Sequence, residues 1–99
     1  SVANFRDAIG VDGGGPKVDA ALAAGLRSEP AATYYQRLFD EYIQAKRSIG
    51  DPVDHITKEA FVQRIQANER ETSERQGKPV RFRVELQGRE VKLIAVPLE

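Results

Sequence analysis

His55 is the one imidazole in this 99-residue chain, and it stands beside Asp54 and close to Asp51. A carboxylate next to an imidazole suits acid–base or metal chemistry. One histidine and two aspartates fall short of the four well-placed ligands of a zinc site, and the loop offers fewer oxygens than calcium takes. Aspartate and proline are ordinary turn residues, so Asp51-Pro52-Val53-Asp54-His55 reads as a connection between helices. The chain has no cysteine, methionine or tryptophan. Thiolate nucleophiles and cysteine ligands are therefore missing from its repertoire. Asp40 and Glu41 are adjacent and diverge around a helix, while Glu71 with Arg75 and Arg70 with Glu74 have the i, i+4 spacing of a self-paired, solvated face. No nucleophile, base and orienter converge. The expectation is a non-enzyme with no catalytic residue, no metal ligand and no cofactor.

The glycine run Gly13-Gly14-Gly15 before Pro16 and Lys17 has the composition of a phosphate-cradling loop, but Val18 stands where such a loop needs serine or threonine after its lysine. A flexible linker over residues 1–32 is the simpler reading. Within it, Val2, Phe5 and Ile9 before the glycines, and Val18, Ala21, Leu22 and Leu26 after them, have helical spacing and suit short docking helices. Either is short for stability alone, since isolated helices below about 12 to 15 residues are marginal.

Cations are concentrated at the other end. Lys78, Arg81, Arg83, Arg89 and Lys92 outnumber Glu85, Glu90 and Glu99. Alternation in VRFRVEL sets Arg81 and Arg83 on one face of a strand and Val80, Phe82, Val84 and Leu86 on the other. Arginine forks suit carboxylate and phosphate alike. Ile94 and Val96 are expected to lie outward beside Arg83 and Arg81, a mixed apolar and arginine surface of the kind found at protein interfaces. Stacking aromatics, which a sheet reading single-stranded RNA displays, are missing from that face. The candidate binding residues are therefore Arg81, Arg83, Lys92, Ile94 and Val96, with a protein partner or a second copy as the expected ligand. Nucleic-acid binding through the basic residues is the alternative.

Three elements must position these side chains. TYYQRLFDEYIQAKRSIG opens on Thr33 with Gln36 three residues later, the capping-box arrangement, and closes on Gly50. Its apolar stripe is Tyr35, Leu38, Phe39, Tyr42, Ile43 and Ile49. A second helix starts after Thr57 and stops at Gly77, with Phe61, Val62 and Ile65 apolar. Beyond Ala67 it turns polar and is expected to protrude or meet a partner, with Asn68 as a half-buried hydrogen-bonding group. A hairpin turning at Gly88-Arg89, of the type with glycine first, sets Leu86 opposite Val91, Val84 opposite Leu93, Phe82 opposite Ala95 and Glu85 opposite Lys92. The predicted fold is α+β: two amphipathic helices and a C-terminal antiparallel hairpin over residues 33–99, preceded by the glycine-rich segment. The hairpin's apolar face is expected to pack on Tyr35, Leu38, Phe39, Tyr42, Phe61 and Ile65.

Lysine plus arginine equals aspartate plus glutamate, so no global field draws the chain to nucleic acid or an anionic membrane. No apolar stretch approaches the roughly 20 residues that cross a bilayer. The absence of cysteine from so small a domain tilts the expected compartment to the cytoplasm. Ser1 in place of an initiator methionine suggests a piece of a larger protein.

The run YYQRLFDEYIQAKRSIG, then ITKEAFVQRIQAN, then GKPVRFRVELQGREVKLIAVP resembles an uncharacterised C-terminal domain family of multidomain signalling and regulatory proteins from myxobacteria and their relatives. The positions that carry the resemblance are Tyr35, Phe39, Tyr42, Gly50, Thr57, Phe61, Ile65, Asn68, Gly77, Val80, Arg81, Phe82 and Pro97, which leaves out the linker. Gln76-Gly77 departs from the tyrosine-glycine of family members. The resemblance implies an accessory module and supplies no catalytic residues.

Overall fold

A computed structural model describes residues 16–99, with side chains from residue 20 onward. The expected helix around Val2, Phe5 and Ile9 and the run Gly13-Gly14-Gly15 lie outside the described residues. Within them the fold is α+β, with three helices before the hairpin where two were expected. Helix α1 is Pro16–Ser28, α2 is Ala31–Ser48 and α3 is Lys58–Gln76, and strands β1 (Val80–Gln87) and β2 (Glu90–Pro97) form a two-stranded antiparallel sheet.

Helix α1 falls within the segment 1–32 read as linker, where the spacing of Val18, Ala21, Leu22 and Leu26 suits a short docking helix. Proline suits the first position of a helix, where its missing N–H has no partner in any case. Ala23 and Leu26 are buried in the core, and Leu22 packs against it. The packed unit therefore begins before Thr33. Gly25 weakens this helix, because glycine in a helix interior is less favourable than alanine by about 0.8–1.0 kcal/mol. A Cβ placed there meets nothing within 4 Å. Gly25→Ala is accordingly expected to raise stability by about 0.5–1 kcal/mol, read as a higher denaturant midpoint at unchanged slope.

Helix α2 starts earlier than the capping box implied. Pro30 is its N-cap, without a side-chain cap bond, and Thr33 lies inside the first turn. Its C-terminus closes as a Schellman pair, with the Gly50 N–H on the Arg47 carbonyl at 3.0 Å and the Asp51 N–H on the Lys46 carbonyl at 3.0 Å. The bounds of α3 match expectation: Thr57 Oγ1 accepts from the Ala60 N–H, and Gly77 takes the left-handed conformation (φ +73°) that ends the helix.

The hairpin register is the one read from the sequence, pair for pair. Gly88 has φ +61°, and among the described residues none but glycine has positive φ, so the turn places its left-handed residue first, as glycine permits. On one face, Val80 and Phe82 of β1 and Ala95 of β2 are buried. Phe82 and Ala95 share a cluster with Tyr34, Leu38, Phe61 and Ile65, while Phe39 and Tyr42 pack rings on Phe61 at centroid distances of 5.5 and 5.0 Å. Ile94 and Val96, at the alternate positions, are each only 1% exposed. They were expected to face outward. Helix α1 packs on β2, with Val96 in one cluster with Ala23 and Leu26, so the hairpin is enclosed on both faces toward its open end. Toward the turn the cover runs out, and Leu86 is 46% exposed.

A polar bridge on α3 and the helix-covered face of the hairpin

Two side-chain arrays hold the elements together, and each includes residues with chemistry of their own. In the first, the Phe82 N–H donates to the Tyr34 hydroxyl at 2.7 Å, and that hydroxyl donates to Glu69 Oε2 at 2.8 Å. Tyr35 donates to Glu69 Oε1 at 2.6 Å. One α3 carboxylate thus takes both tyrosines of α2, and one tyrosine continues to the outer edge of β1. Thr72, also on the polar half of α3, is 2% exposed. That half packs against the domain instead of protruding. Asn68 is half-buried as expected, while the hydrogen-bonding role falls to its neighbour Glu69.

Burial, with smaller contributions from Glu69, pushes the Tyr34 phenol far above its ordinary value, although the Phe82 N–H acts in the opposite sense. Burial and the Glu69 hydrogen bond push Tyr35 up to about 12. Both groups are therefore more strongly protonated in the folded chain than in the unfolded one, whose tyrosines ionise near pH 10. Their contribution is complete below about pH 10 and is lost as pH rises through the folded values. Denaturant midpoints should fall above about pH 10, and the Tyr34→Phe, Tyr35→Phe double variant should lose less over pH 10–12 than the parent does. Equal losses would contradict this assignment.

The second array is the face predicted to bind partners. Arg81 leaves β1 half-buried and donates from Nη1 to the Leu26 carbonyl at 2.6 Å and the Glu29 carbonyl at 2.7 Å, the carbonyls at the C-terminal end of α1. Its guanidinium carbon lies 4.5 Å from the Tyr34 ring centroid, a cation–π distance. Arg27 of α1 donates to the Leu98 carbonyl. Glu29 receives a two-pronged contact from Arg37 of α2, Nε to Oε2 at 2.9 Å and Nη2 to Oε1 at 2.8 Å. That fork holds the Glu29 carboxyl below the usual carboxylate range and raises the Arg37 guanidinium.

Arg83 pairs with Glu85 at 3.0 Å and lines an open hollow with Leu22, Gly25, Leu26, Glu29 and Arg37. Glu85 is held low by Gln87 first and then Arg83. Lys92 stands opposite Glu85 in the register, yet its ammonium is 4.0 Å from Glu90 on its own strand. The five sequence-predicted residues thus share one face of the hairpin. Arg81 bonds the end of α1, Val96 shares a cluster with Ala23 and Leu26 of that helix, and Arg83 lines the hollow beside it, while Ile94 is buried and Lys92 half-buried farther along the same face.

His55 is exposed on the connection between α2 and α3, and Asp51 there takes the Lys46 ammonium at 3.3 Å. Among the described residues no group of three histidine, cysteine, aspartate or glutamate side chains is placed to hold a metal ion, and no helix is long and apolar enough to cross a membrane. Sequence reasoning missed Tyr34 and Glu69. A tyrosine four residues before Leu38, and a glutamate four residues after Ile65 on the buried side of α3, were the available signals. Compared with protein-family models, with curated proteins and with solved structures, the chain finds no match.

Proposed function

We propose that the chain is a non-catalytic protein-interaction module, and that the hairpin face of Arg81, Arg83, Lys92, Ile94 and Val96 is a surface that accepts a helix. One observation carries the reading: this face already holds a helix, gripping its terminal carbonyls with Arg81 and packing Val96 in one cluster with Ala23 and Leu26. Helix-in-groove recognition needs these two parts, an apolar floor and polar groups that fix orientation. An accessory role of this kind agrees with what the family resemblance implies. Nucleic-acid binding draws less support from the geometry, because Arg81 is engaged with backbone carbonyls and Arg83 with a carboxylate.

The test is selection of random 14-residue peptides against the immobilised chain, with the winners mapped by amide shifts. Helical winners that shift α1 and the hairpin face are expected. Short RNA and duplex DNA at low salt should leave Arg81, Arg83 and Lys92 unmoved. Failure to select any peptide, together with salt-sensitive shifts at those residues on adding RNA or DNA, would hand the face to nucleic acid.

A further inference from the structure

We infer that α1 is an exchangeable occupant of this face, a cis copy of the ligand, and that the trans ligand is a short amphipathic helix of another protein built to the same chemistry. The inference rests on the reading above and adds the class of ligand and its regulation. Helix α1 defines the chemistry by what it offers. Ala23 and Leu26, three residues apart, are buried. The Leu26 carbonyl of its last turn and the Glu29 carbonyl just past its end are taken by Arg81. The Glu29 carboxylate just past its end meets the Arg37 fork. A ligand therefore needs a small residue and a leucine at i, i+3, terminal carbonyls open to an arginine, and an acidic residue immediately beyond the helix. The cationic groups facing that end, Arg37 and Arg81, complement the negative end of a helix dipole as well as the carboxylate.

Three features make α1 replaceable. It spans 13 residues, a length marginal for an isolated helix. Gly25 lowers its helicity further, although space exists for a Cβ. Only two residues, Glu29 and Pro30, join it to α2, so its release leaves the α2, α3 and hairpin contacts in place. Local opening of such weakly held segments is the ordinary low-energy excursion of a folded chain. A tethered helix competes at an effective concentration of the order of millimolar, which keeps the face closed until a trans helix exceeds it in affinity or amount.

The experiment uses the full chain, labelled with ¹⁵N, and an unlabelled synthetic peptide of residues 16–29 at millimolar concentration. The chain's Ala23 and Leu26 amides should move toward undocked positions, while the Ile94 and Val96 amides stay nearly still, because one helix replaces its equal. Gly25→Ala then gives opposite signs. In the peptide it should tighten exchange about three- to five-fold, and in the chain it should weaken exchange by the same factor. Glu29→Gln in the peptide should weaken exchange about two- to five-fold. Absence of any α1 shift, or a chain Gly25→Ala without effect on peptide affinity, would overturn the proposal. If library peptides still bound the face under those conditions, only the α1 chemistry would fall, and the interaction reading would stand. A chain that doubles its mass, with isotope-mixed contacts between α1 and β2, would assign the face to a second copy and overturn the proposal in this form.

Discussion

Tyr34→Ala is expected to bring the chain close to unfolding at 25 °C, with a loss of about 3–5 kcal/mol. A domain of this size has only about 5–10 kcal/mol of stability in total. Tyr34 is fully buried, and its ring lies between Tyr35 at 4.8 Å and the Arg81 guanidinium at 4.5 Å. Truncation removes the ring and the hydroxyl together. Tyr34→Phe separates the two effects, because it keeps the ring and deletes the oxygen that joins Phe82 of β1 to Glu69 of α3. That change should cost about 1–3 kcal/mol, the range for removing one partner from a buried hydrogen bond. Tyr35→Phe should cost less, about 1 kcal/mol or below, since Tyr35 is half-buried and its hydroxyl does not reach the sheet. Urea unfolding of the three variants decides the matter. A Tyr34→Phe chain as stable as the parent would remove the hydroxyl bridge from the account.

The second large effect is local. Arg81→Ala should detach α1 while α2, α3 and the hairpin remain folded, because Arg81 supplies both hydrogen bonds to the carbonyls at the end of α1. Hydrogen bonds to a charged group contribute about 1.5–3 kcal/mol each. Among the described residues, α1 is also tied by the Arg27 contact to Leu98, the Glu29 fork, the buried Ala23 and Leu26 and the half-buried Leu22. Helical circular dichroism should fall by the share of the 13 residues of α1, and amide protection of Ala23 and Leu26 should collapse ahead of that of Leu38 or Ile65. Arg81→Lys should rescue only part of this, since an ammonium can serve the two carbonyls that Nη1 serves but lacks the planar group that stacks on Tyr34. Unchanged protection in α1 would show that apolar contact alone holds the helix.

Local grammar made much of this architecture legible. The Thr57 cap, the Gly50 and Gly77 stops, the Gly88 turn and every cross-strand pair follow from short-range rules, because each is determined by neighbours a few residues apart. The failures are tertiary. Tyr34 and Tyr35 sit about 100° apart around α2, and periodicity alone does not say which of them the sheet will cover. For β2 the sequence carries a signal of burial on both faces. Leu93-Ile94-Ala95-Val96 is an unbroken apolar run, the mark of a strand buried on both faces, and it called for a covering element. The helical spacing of Leu22 and Leu26 in the preceding segment was that element. The hairpin register puts the candidate residues on one face, but their exposure depends on contacts such as that between residues 26 and 81, which no local pattern reveals.

The distance along the chain between α1 and its partners also bears on the order of folding. Arg81 reaches carbonyls 52 and 55 residues away, and Arg27 reaches one 71 residues away, whereas Tyr34 and Glu69 are separated by 35. Ordering a weak helix across the longest loops brings its reward last, after α2, α3 and the hairpin have supplied a surface to receive it. Leu26→Ala should therefore speed unfolding and leave the refolding rate nearly unchanged, a φ-value near zero, while Ile65→Ala slows refolding. The lifetime of the closed face would then be governed by the unfolding limb of the chevron.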